Sequence, residues 1–212
     1  MPVERAWLAK PARLLAPRLL GAVLVSTAGG SEVALRLTEV EAYEGPDDPA
    51  SHAFRGRTTR TEVMFGPPGH LYCYFTYGMH WCANIVCAYE GRASAVLLRA
   101  GQVVRGDDVA WTRRPAAKSA RDLARGPARL ASCLGLGAAH NGVDLCDPAS
   151  AVQLESVPRR RAVGIRAGPR VGIAVAADRP WRFWLTDEPT VSVFRPGGRT
   201  RSASDRQTDL RE

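Results

Sequence analysis

The stretch PPGHLYCYFTYGMHWCANIV, residues 67–86, carries two runs of apolar and aromatic residues on either side of Tyr77-Gly78-Met79-His80. Two such runs around a glycine-containing turn are typical of a β-hairpin, here with a tyrosine at or near its tip. Successive side chains of a strand point to opposite faces, so Tyr72 and Tyr74 are predicted to share one face. A hairpin in the middle of the chain favours antiparallel pairing of the strands around it.

Further apolar segments, separated by Gly, Pro and Asp, predict strands on both sides of this hairpin. The gaps between the middle strands are too short for helical crossovers. We therefore predict an α+β fold: a single mixed domain with a curved, largely antiparallel β-sheet, flanking helices and a protruding β-hairpin. The other predicted strands are AVLV (22–25), VALRLTEVEAY (33–43), SAVLLRAGQVV (94–104), RVGIAVAA (170–177) and WRFWL (181–185).

Three helical regions are predicted beside the sheet. They cover Leu14–Leu20, residues 116–124 and residues 126–137. In the third, Pro127 suits the first turn and Gly135 suits a C-cap.

The composition is that of a globular protein with a basic surface. The chain has 212 residues, of which 45% are hydrophobic, enough to bury a core. We expect one domain over residues 1–196 and a polar, flexible tail over 197–212. Twenty-nine Lys and Arg against 21 Asp and Glu give a net charge of +8, which favours nucleic acid, anionic membrane or acidic substrates as partners. Charge alone does not choose among these, because arginine-rich composition raises the pI of many enzymes.

Cysteine and histidine usage bears on compartment and metals. Five cysteines, an odd number without a CxxC pair, indicate a reducing compartment and argue against a zinc site. The four histidines show no metal-ligand spacing, and we expect neither metal nor cofactor. Arginines and prolines interrupt the apolar N-terminus, so no membrane span is predicted. These features favour a soluble cytoplasmic protein.

The segment TEVEAYEGPDDPASH, residues 38–52, places Glu39, Glu41 and Tyr43 at alternate positions of a strand. By alternation they continue the face of Leu35 and Leu37, so this face begins apolar and ends acidic and aromatic. One interpretation is a strand leaving the core, with both glutamates in solvent. The other is a pocket wall in which a general base stands beside a stacking ring. The pattern alone leaves both open.

Two further positions could carry function. Asn84 lies in the otherwise apolar return strand of the hairpin, where a buried amide is either satisfied structurally or placed to contact a ligand. A large ring at the hairpin tip has little protein to pack against, and exposed rings of this kind can act as wedges between nucleic-acid bases.

The segments TEVEAYEGPDDPASH, MFGPPGHLYCYFTYGMHWCANIV, AVLLRAG, GPARL and RVGIAVA, in this order and spacing, resemble the alkyladenine (3-methyladenine) DNA glycosylase family. The resemblance runs from about Leu14 to Phe194. It implies an enzyme that flips alkylated or deaminated purines (3-methyladenine, 7-methylguanine, hypoxanthine, ethenoadenine) out of double-stranded DNA and hydrolyses the N-glycosidic bond. No lysine stands at the matching pocket positions, so a monofunctional enzyme that leaves an abasic site is expected. It would act as a monomer on DNA, in the cytoplasm with the nucleoid.

Carried over position by position, the resemblance implies a role for each of seven residues. Glu41, and not Glu39, matches the general base that activates water, and Arg99 matches an arginine near that water and the DNA backbone. The remaining matches are the walls that sandwich the flipped base (Tyr43, His52, Tyr74), the residue that obstructs the amino group of normal guanine (Asn84) and the intercalating wedge (Tyr77).

The segment FRGRTTRTEVMFG, residues 54–66, holds candidate DNA contacts. Arg57 and Arg60, together with Arg55, could contact phosphates or could simply form a solvated charge run. Met64 could pack against the minor groove or in the core.

Two other functions also fit the basic, aromatic pattern. One is a catalytically silent module that binds nucleic acid, and the other is an N-ribosyl hydrolase acting on free nucleosides. The first predicts no release of base, and the second predicts little dependence of activity on salt.

Overall fold

The computed structural model describes residues 3–76, 78–156 and 164–198. Within these ranges the chain forms four α-helices and eight strands. The helices are α1 (Arg5–Leu8), α2 (Ala12–Leu19), α3 (Asp107–Arg113) and α4 (Pro127–Leu134). The strands are β1 (Val23–Ser26), β2 (Val33–Tyr43), β3 (Leu71–Thr76), β4 (His80–Val86), β5 (Ala95–Arg105), β6 (Val152–Ser156), β7 (Ile165–Gly168) and β8 (Arg182–Leu185).

The eight strands form one open sheet in which each pair is antiparallel. Its main order is β3-β4-β5-β2-β1-β6, with β8 added beside β2 and β7 beside β8. β2 is the central strand of the sheet and pairs with three others. One of its edges pairs with β5. The other edge pairs with β1 at its start and with β8 at Glu39–Glu41. The predicted α+β fold with a largely antiparallel sheet is confirmed.

Two bulges interrupt the β2–β5 ladder beside the acidic residues. Thr38 is an extra residue on β2, and Arg99 is an extra residue on β5. A bulge re-aims the side chains that follow it, because it shifts the alternation by one residue. Leu37 and Val40, three positions apart, accordingly both belong to the main hydrophobic core.

The expectation that one face of β2 runs from Leu35 and Leu37 to Glu39, Glu41 and Tyr43 is therefore wrong. After the bulge the core positions are even-numbered, so the two glutamates and the tyrosine lie on the face opposite the main core. A period of two holds only within an uninterrupted ladder.

The β3–β4 hairpin is in the predicted place. Its pairs run from Leu71 with Ile85 to Thr76 with His80. β5 pairs only with the Asn84–Val86 part of β4, so the turn end of the hairpin projects past the sheet. The predicted wedge, Tyr77, lies outside the described residues.

The helices cover the core face of the sheet. α2 packs on β2 and β5, and α4 packs on β4 and β5. α4 begins at Pro127 and ends at Leu134. Gly135 follows it in a left-handed conformation, and its amide bonds to the carbonyls of Ala131 and Ser132 form the predicted C-cap.

Other sequence-based assignments need correction. The predicted helix over 116–124 contains only a short 3-10 turn at Ala120–Asp122, while α3 and β6 were not predicted. The predicted strand over 170–177 is irregular chain. There Gly172 has φ of 74°, and the amide of Val171 donates a hydrogen bond to the side chain of Glu41 rather than to a neighbouring strand.

Of the predicted C-terminal tail, residues 199–212 lie outside the described ranges. The domain boundary at 196 stays a prediction.

Candidate active site

A cavity of about 340 Å³ opens on the face of the sheet opposite the main core. It is bounded by the end of β2, the β3–β4 hairpin, the loop that follows β2 and the irregular segment after Arg170. Gly45 fixes the start of that loop, since a Cβ there would collide with the carbonyl of Ala93. Lining residues include Tyr43, Ser51, His52, Met64, Tyr72, Tyr74, Cys82, Asn84, Leu97, Arg99, Pro127, Val171, Gly172 and Ile173.

Aromatic rings form one wall of the cavity. Tyr72 and Tyr74 share a face, as predicted, and are stacked with ring centroids 5.5 Å apart. His52 meets Tyr74 edge-on at 4.6 Å, and its Nδ1 lies 3.1 Å from the hydroxyl of Tyr72. Burial, and secondarily the charge of Arg60, lower the pKa of His52. The lowered pKa favours the neutral imidazole, and His52 adds a flat surface to this wall.

Glu41 lies behind this cavity and is fully buried. Its carboxylate accepts hydrogen bonds from the hydroxyl of Tyr43 (3.0 Å) and the amide of Val171 (2.7 Å), two residues that line the cavity. Nη1 of Arg99 is 3.4 Å away. Burial raises the pKa of Glu41, although Arg99 and both hydrogen bonds oppose the shift. Such a carboxyl can take a proton from water near neutral pH more readily than an exposed glutamate can.

Glu39 is equally buried but is surrounded by more donors. Its carboxylate accepts bonds from Nε of Arg99 (2.8 Å), Nε of Arg182 (2.7 Å) and both the amide and hydroxyl of Ser192 (2.7 and 2.9 Å). Burial acts to raise the pKa of Glu39, but the two guanidinium groups and the Ser192 amide outweigh it, and the pKa is lowered. Since neither glutamate is exposed, the solvated-strand interpretation is wrong for both.

Arg99 joins the two carboxylates and reaches the cavity. It is 5% exposed, stands at the β5 bulge and donates through Nε to Glu39 and through Nη2 to Ser192 (3.3 Å). Its Nη1 points towards Glu41. The bulge thus turns a strand residue into a bridge between two buried anions.

Asn84 combines the two roles that its sequence position left open. The side chain is 5% exposed, and Nδ2 donates to the carbonyl of Tyr72 at 3.0 Å. It also lines the cavity. The amide is therefore held rigidly where it can contact an occupant.

The candidate DNA contacts fall into two groups. Met64 is 2% exposed and packs with Phe65 and Tyr72 in a second, smaller core, and it also lines the cavity. Arg57 and Arg60 are exposed, with their guanidinium groups over the rings of Phe65 (4.9 Å) and Tyr74 (5.6 Å). The charge of Arg60 therefore stands beside the aromatic wall.

Several residues of the site were not found from the sequence. Val171, Gly172 and Ile173 close the cavity, and Arg170 is buried against Asp48 and Tyr43. Only the family resemblance indicated that the segment RVGIAVA belongs to the functional site. A buried arginine in a basic chain has no local pattern that distinguishes it from a surface one.

Among the described residues there is neither a metal-binding cluster nor a membrane-spanning helix. No group of three or more His, Cys, Asp or Glu side chains among them is arranged to hold a metal ion. None of the described helices has the length and apolar character needed to cross a membrane.

Comparison with known proteins agrees with the resemblance seen in the motifs. The model of the family described as methylpurine-DNA glycosylase matches residues 6–189. A Streptomyces avermitilis protein named "Putative 3-methyladenine DNA glycosylase" is 52% identical over 199 residues, covering 92% of each chain. Proteins of the same name from Nocardia farcinica and Mycobacterium tuberculosis are 52% and 50% identical, and the matches cover 89% and 90% of this chain and 90% and 94% of theirs.

Proposed function

Since this chain belongs to the methylpurine-DNA glycosylase family and is a hydrolase of N-glycosyl bonds, we propose that it excises damaged purines from duplex DNA with Glu41 as general base. The target nucleotide is flipped out of the stack into the cavity, because its glycosidic bond is inaccessible inside the duplex. The substrates are alkylated and deaminated purines of the 3-methyladenine, 7-methylguanine, hypoxanthine and ethenoadenine class.

One observation carries this proposal: a fully buried carboxylate with a raised pKa stands directly behind a cavity walled by aromatic rings. The cavity volume of about 340 Å³ accommodates a purine. Tyr43, Tyr74 and His52 supply flat surfaces that can enclose such a base from more than one side. A pocket for a purely aliphatic ligand would not need this arrangement.

The reaction follows from the position of Glu41. Its carboxylate accepts a proton from a water molecule as the water oxygen bonds to C1′ of the deoxyribose and the C1′–N bond breaks. The electron pair of that bond leaves with the purine, and an abasic site remains. The negative charge of Glu41 also stabilises the oxocarbenium-like sugar, and Arg99 orients the carboxylate. No lysine is among the residues that line the described cavity, which favours water over an amine as the nucleophile.

Alkylated and deaminated purines make different demands on the site. A cationic alkylated base is already a good leaving group and stacks well on electron-rich rings. Neutral hypoxanthine needs a proton on the purine as it leaves. As the family resemblance implies, Tyr77 would fill the gap left in the duplex.

The test is single-turnover release of base from a duplex containing one hypoxanthine and from methylated DNA. Glu41→Gln is expected to keep binding damaged DNA and to lose base release by about 100-fold or more. Glu155→Gln, at an exposed ion pair, is the matched control. Tight binding without release by the wild type would indicate a silent module, and release from free nucleosides alone would indicate a nucleoside hydrolase. Undiminished release by Glu41→Gln would remove Glu41 as the base.

Asn84 is the proposed barrier to normal guanine, because it lines the cavity and its amide could obstruct an exocyclic amino group there. Asn84→Ser is expected to increase release of unmodified guanine by about 10-fold, the range for one polar contact in a pocket. Hypoxanthine release from the same duplex context serves as the reference substrate. If guanine release stays at the wild-type level while the variant remains folded, Asn84 has no gatekeeping role.

A further inference from the structure

Arg170 is among the largest fully buried side chains of the described structure, with 1% exposure. Its polar edge binds Asp48 through two hydrogen bonds, Nη1 at 2.5 Å and Nη2 at 2.8 Å. Nη1 also donates to the carbonyl of Ala42 at 3.0 Å. Its Nε is the one buried side-chain polar atom of the described residues that has no hydrogen-bond partner.

The flat faces of the same guanidinium contact aromatic rings. Its central carbon is 4.6 Å from the ring centroid of Tyr43 and 5.2 Å from that of Trp181. Arg179 lies over Trp181 in turn, at 4.7 Å. Arg170 is not among the residues that line the cavity, whereas Tyr43 is. The arginine therefore supports the Tyr43 ring from behind.

These contacts connect three segments that form the site. Ala42 stands between Glu41 and Tyr43, Asp48 lies in the loop that leads to His52, and Arg170 immediately precedes Val171. The amide of Val171 is a donor to Glu41. One side chain thus links the base-stacking ring, the loop and the segment that binds the carboxylate.

Stability alone gives little reason for such a pair. A buried arginine–carboxylate pair contributes weakly to folding, and an apolar pair of similar volume often stabilises a core as well or better. The planar fork of arginine, however, binds a carboxylate with its edge while its face stacks on a ring, which lysine cannot do.

We propose that Arg170, with Asp48, is a positioning residue that holds Tyr43 and the Val171 amide in register with Glu41. This inference rests on the proposed function of the pocket. Arg170 acts through the residues it holds and contacts neither the base nor the water.

The experiment compares Arg170→Lys with the wild type and with Arg5→Lys. Arg5 forms another arginine–aspartate pair, with Asp144 at 2.5 Å, away from the cavity lining, and is the matched control. Three quantities are measured: thermal unfolding, the pH dependence of single-turnover base release, and hydrogen exchange of the Val171 amide by NMR.

For Arg170→Lys we expect base release at pH 7 to fall by about tenfold or more, since small displacements in a site are costly. The acidic limb of the profile should move to higher pH, because Glu41 loses its amide donor while Arg99, Tyr43 and Glu39 still face it. Exchange of the Val171 amide should accelerate. Arg5→Lys should match the wild type in all three.

A folded Arg170→Lys protein with unchanged rate, profile and Val171 exchange would overturn the inference. If this variant does not fold, Asp48→Asn, which keeps the shape and removes one charge, is measured in the same way and judged by the same criteria. If the wild type itself releases no base, the proposed function fails. Val171 exchange and NMR titration of Glu41 still decide the positioning role.

Discussion

The surroundings of Glu39 and Glu41 differ although the two residues are two positions apart on β2 and equally buried. Glu39 receives two guanidinium groups and both donors of Ser192, and its pKa is lowered. Glu41 has one guanidinium at 3.4 Å, an amide and a hydroxyl, and its pKa is raised. Burial acts to raise both pKa values, and only at Glu39 do two guanidinium groups and the Ser192 amide reverse the direction.

This difference separates an anion that orients Arg99 from the proposed general base. Glu39 stays ionised and fixes the orientation of Arg99, which leaves Nη1 of that arginine for Glu41. Burial makes Glu41 more basic by raising its pKa, and a basic carboxylate is what a general base requires. The same strand thus supplies a carboxylate that orients Arg99 and the carboxylate that we propose as the general base.

The largest expected effect concerns folding stability. Glu39→Gln removes an anion that two buried arginines share and should lower the free energy of unfolding by about 3–5 kcal/mol. Glu41→Gln replaces a carboxylate that burial disfavours and should change it by less than about 1 kcal/mol. Urea unfolding at pH 7 measures both, and equal losses would contradict the distinction.

The pH dependence of stability should have opposite signs for the two residues. The lowered pKa of Glu39 gives stability that is present above its ordinary pKa and is lost as pH falls through the lowered value. The raised pKa of Glu41 gives a cost that appears once pH exceeds its ordinary value and vanishes below it. The deficit of Glu39→Gln relative to wild type should therefore shrink on acidification, whereas any gain of Glu41→Gln should disappear.

A smaller effect is expected when one neutral donor is removed from each carboxylate. Tyr43→Phe deletes the hydroxyl bound to Glu41, so the pKa of Glu41 should rise further and base release at pH 7 should slow by a few fold, about 1 kcal/mol in the barrier. Ser192→Ala deletes one donor of Glu39 but leaves both arginines and the Ser192 amide. Its release rate should stay near wild type. If the two variants shift the acidic limb of the pH profile of base release alike, the number of facing cations does not decide how far the pKa of each glutamate shifts.

The smallest effect concerns exposed charges, because solvent screens their electrostatic interactions more strongly than the protein interior does. Arg57→Gln and Arg60→Gln should each reduce the slope of log affinity for DNA against log salt by about 1 if each arginine contacts a phosphate. Arg18→Gln is the control, because Arg18 is an exposed residue of α2, the helix that packs on the side of the sheet opposite the cavity. An unchanged slope would identify Arg57 and Arg60 as a solvated charge run.

Much of the fold was predictable from local pattern. The hairpin, β2, β5 and α4 each have a clear period and their own end signals, such as Gly135 after α4. The predictions of a helix over 116–124 and a strand over 170–177 were wrong because the composition there suggests regular structure. In the folded chain these segments do not form the hydrogen bonds of a regular helix or strand, and the Val171 amide donates to Glu41 instead. Pro127, at the start of α4, was predicted as a helix residue but not as part of the cavity wall.

By itself the sequence determined the antiparallel sheet, the shared face of Tyr72 and Tyr74 and, through its motifs, the family. Only the tertiary structure decided that Glu39 and Glu41 lie opposite the core and that Arg170 is buried. The bulges depend on the register between β2 and β5, and the partner of Arg170 lies 122 residues away along the chain. Periodicity reports the local backbone, whereas the state of a buried charge depends on groups that only folding brings to it.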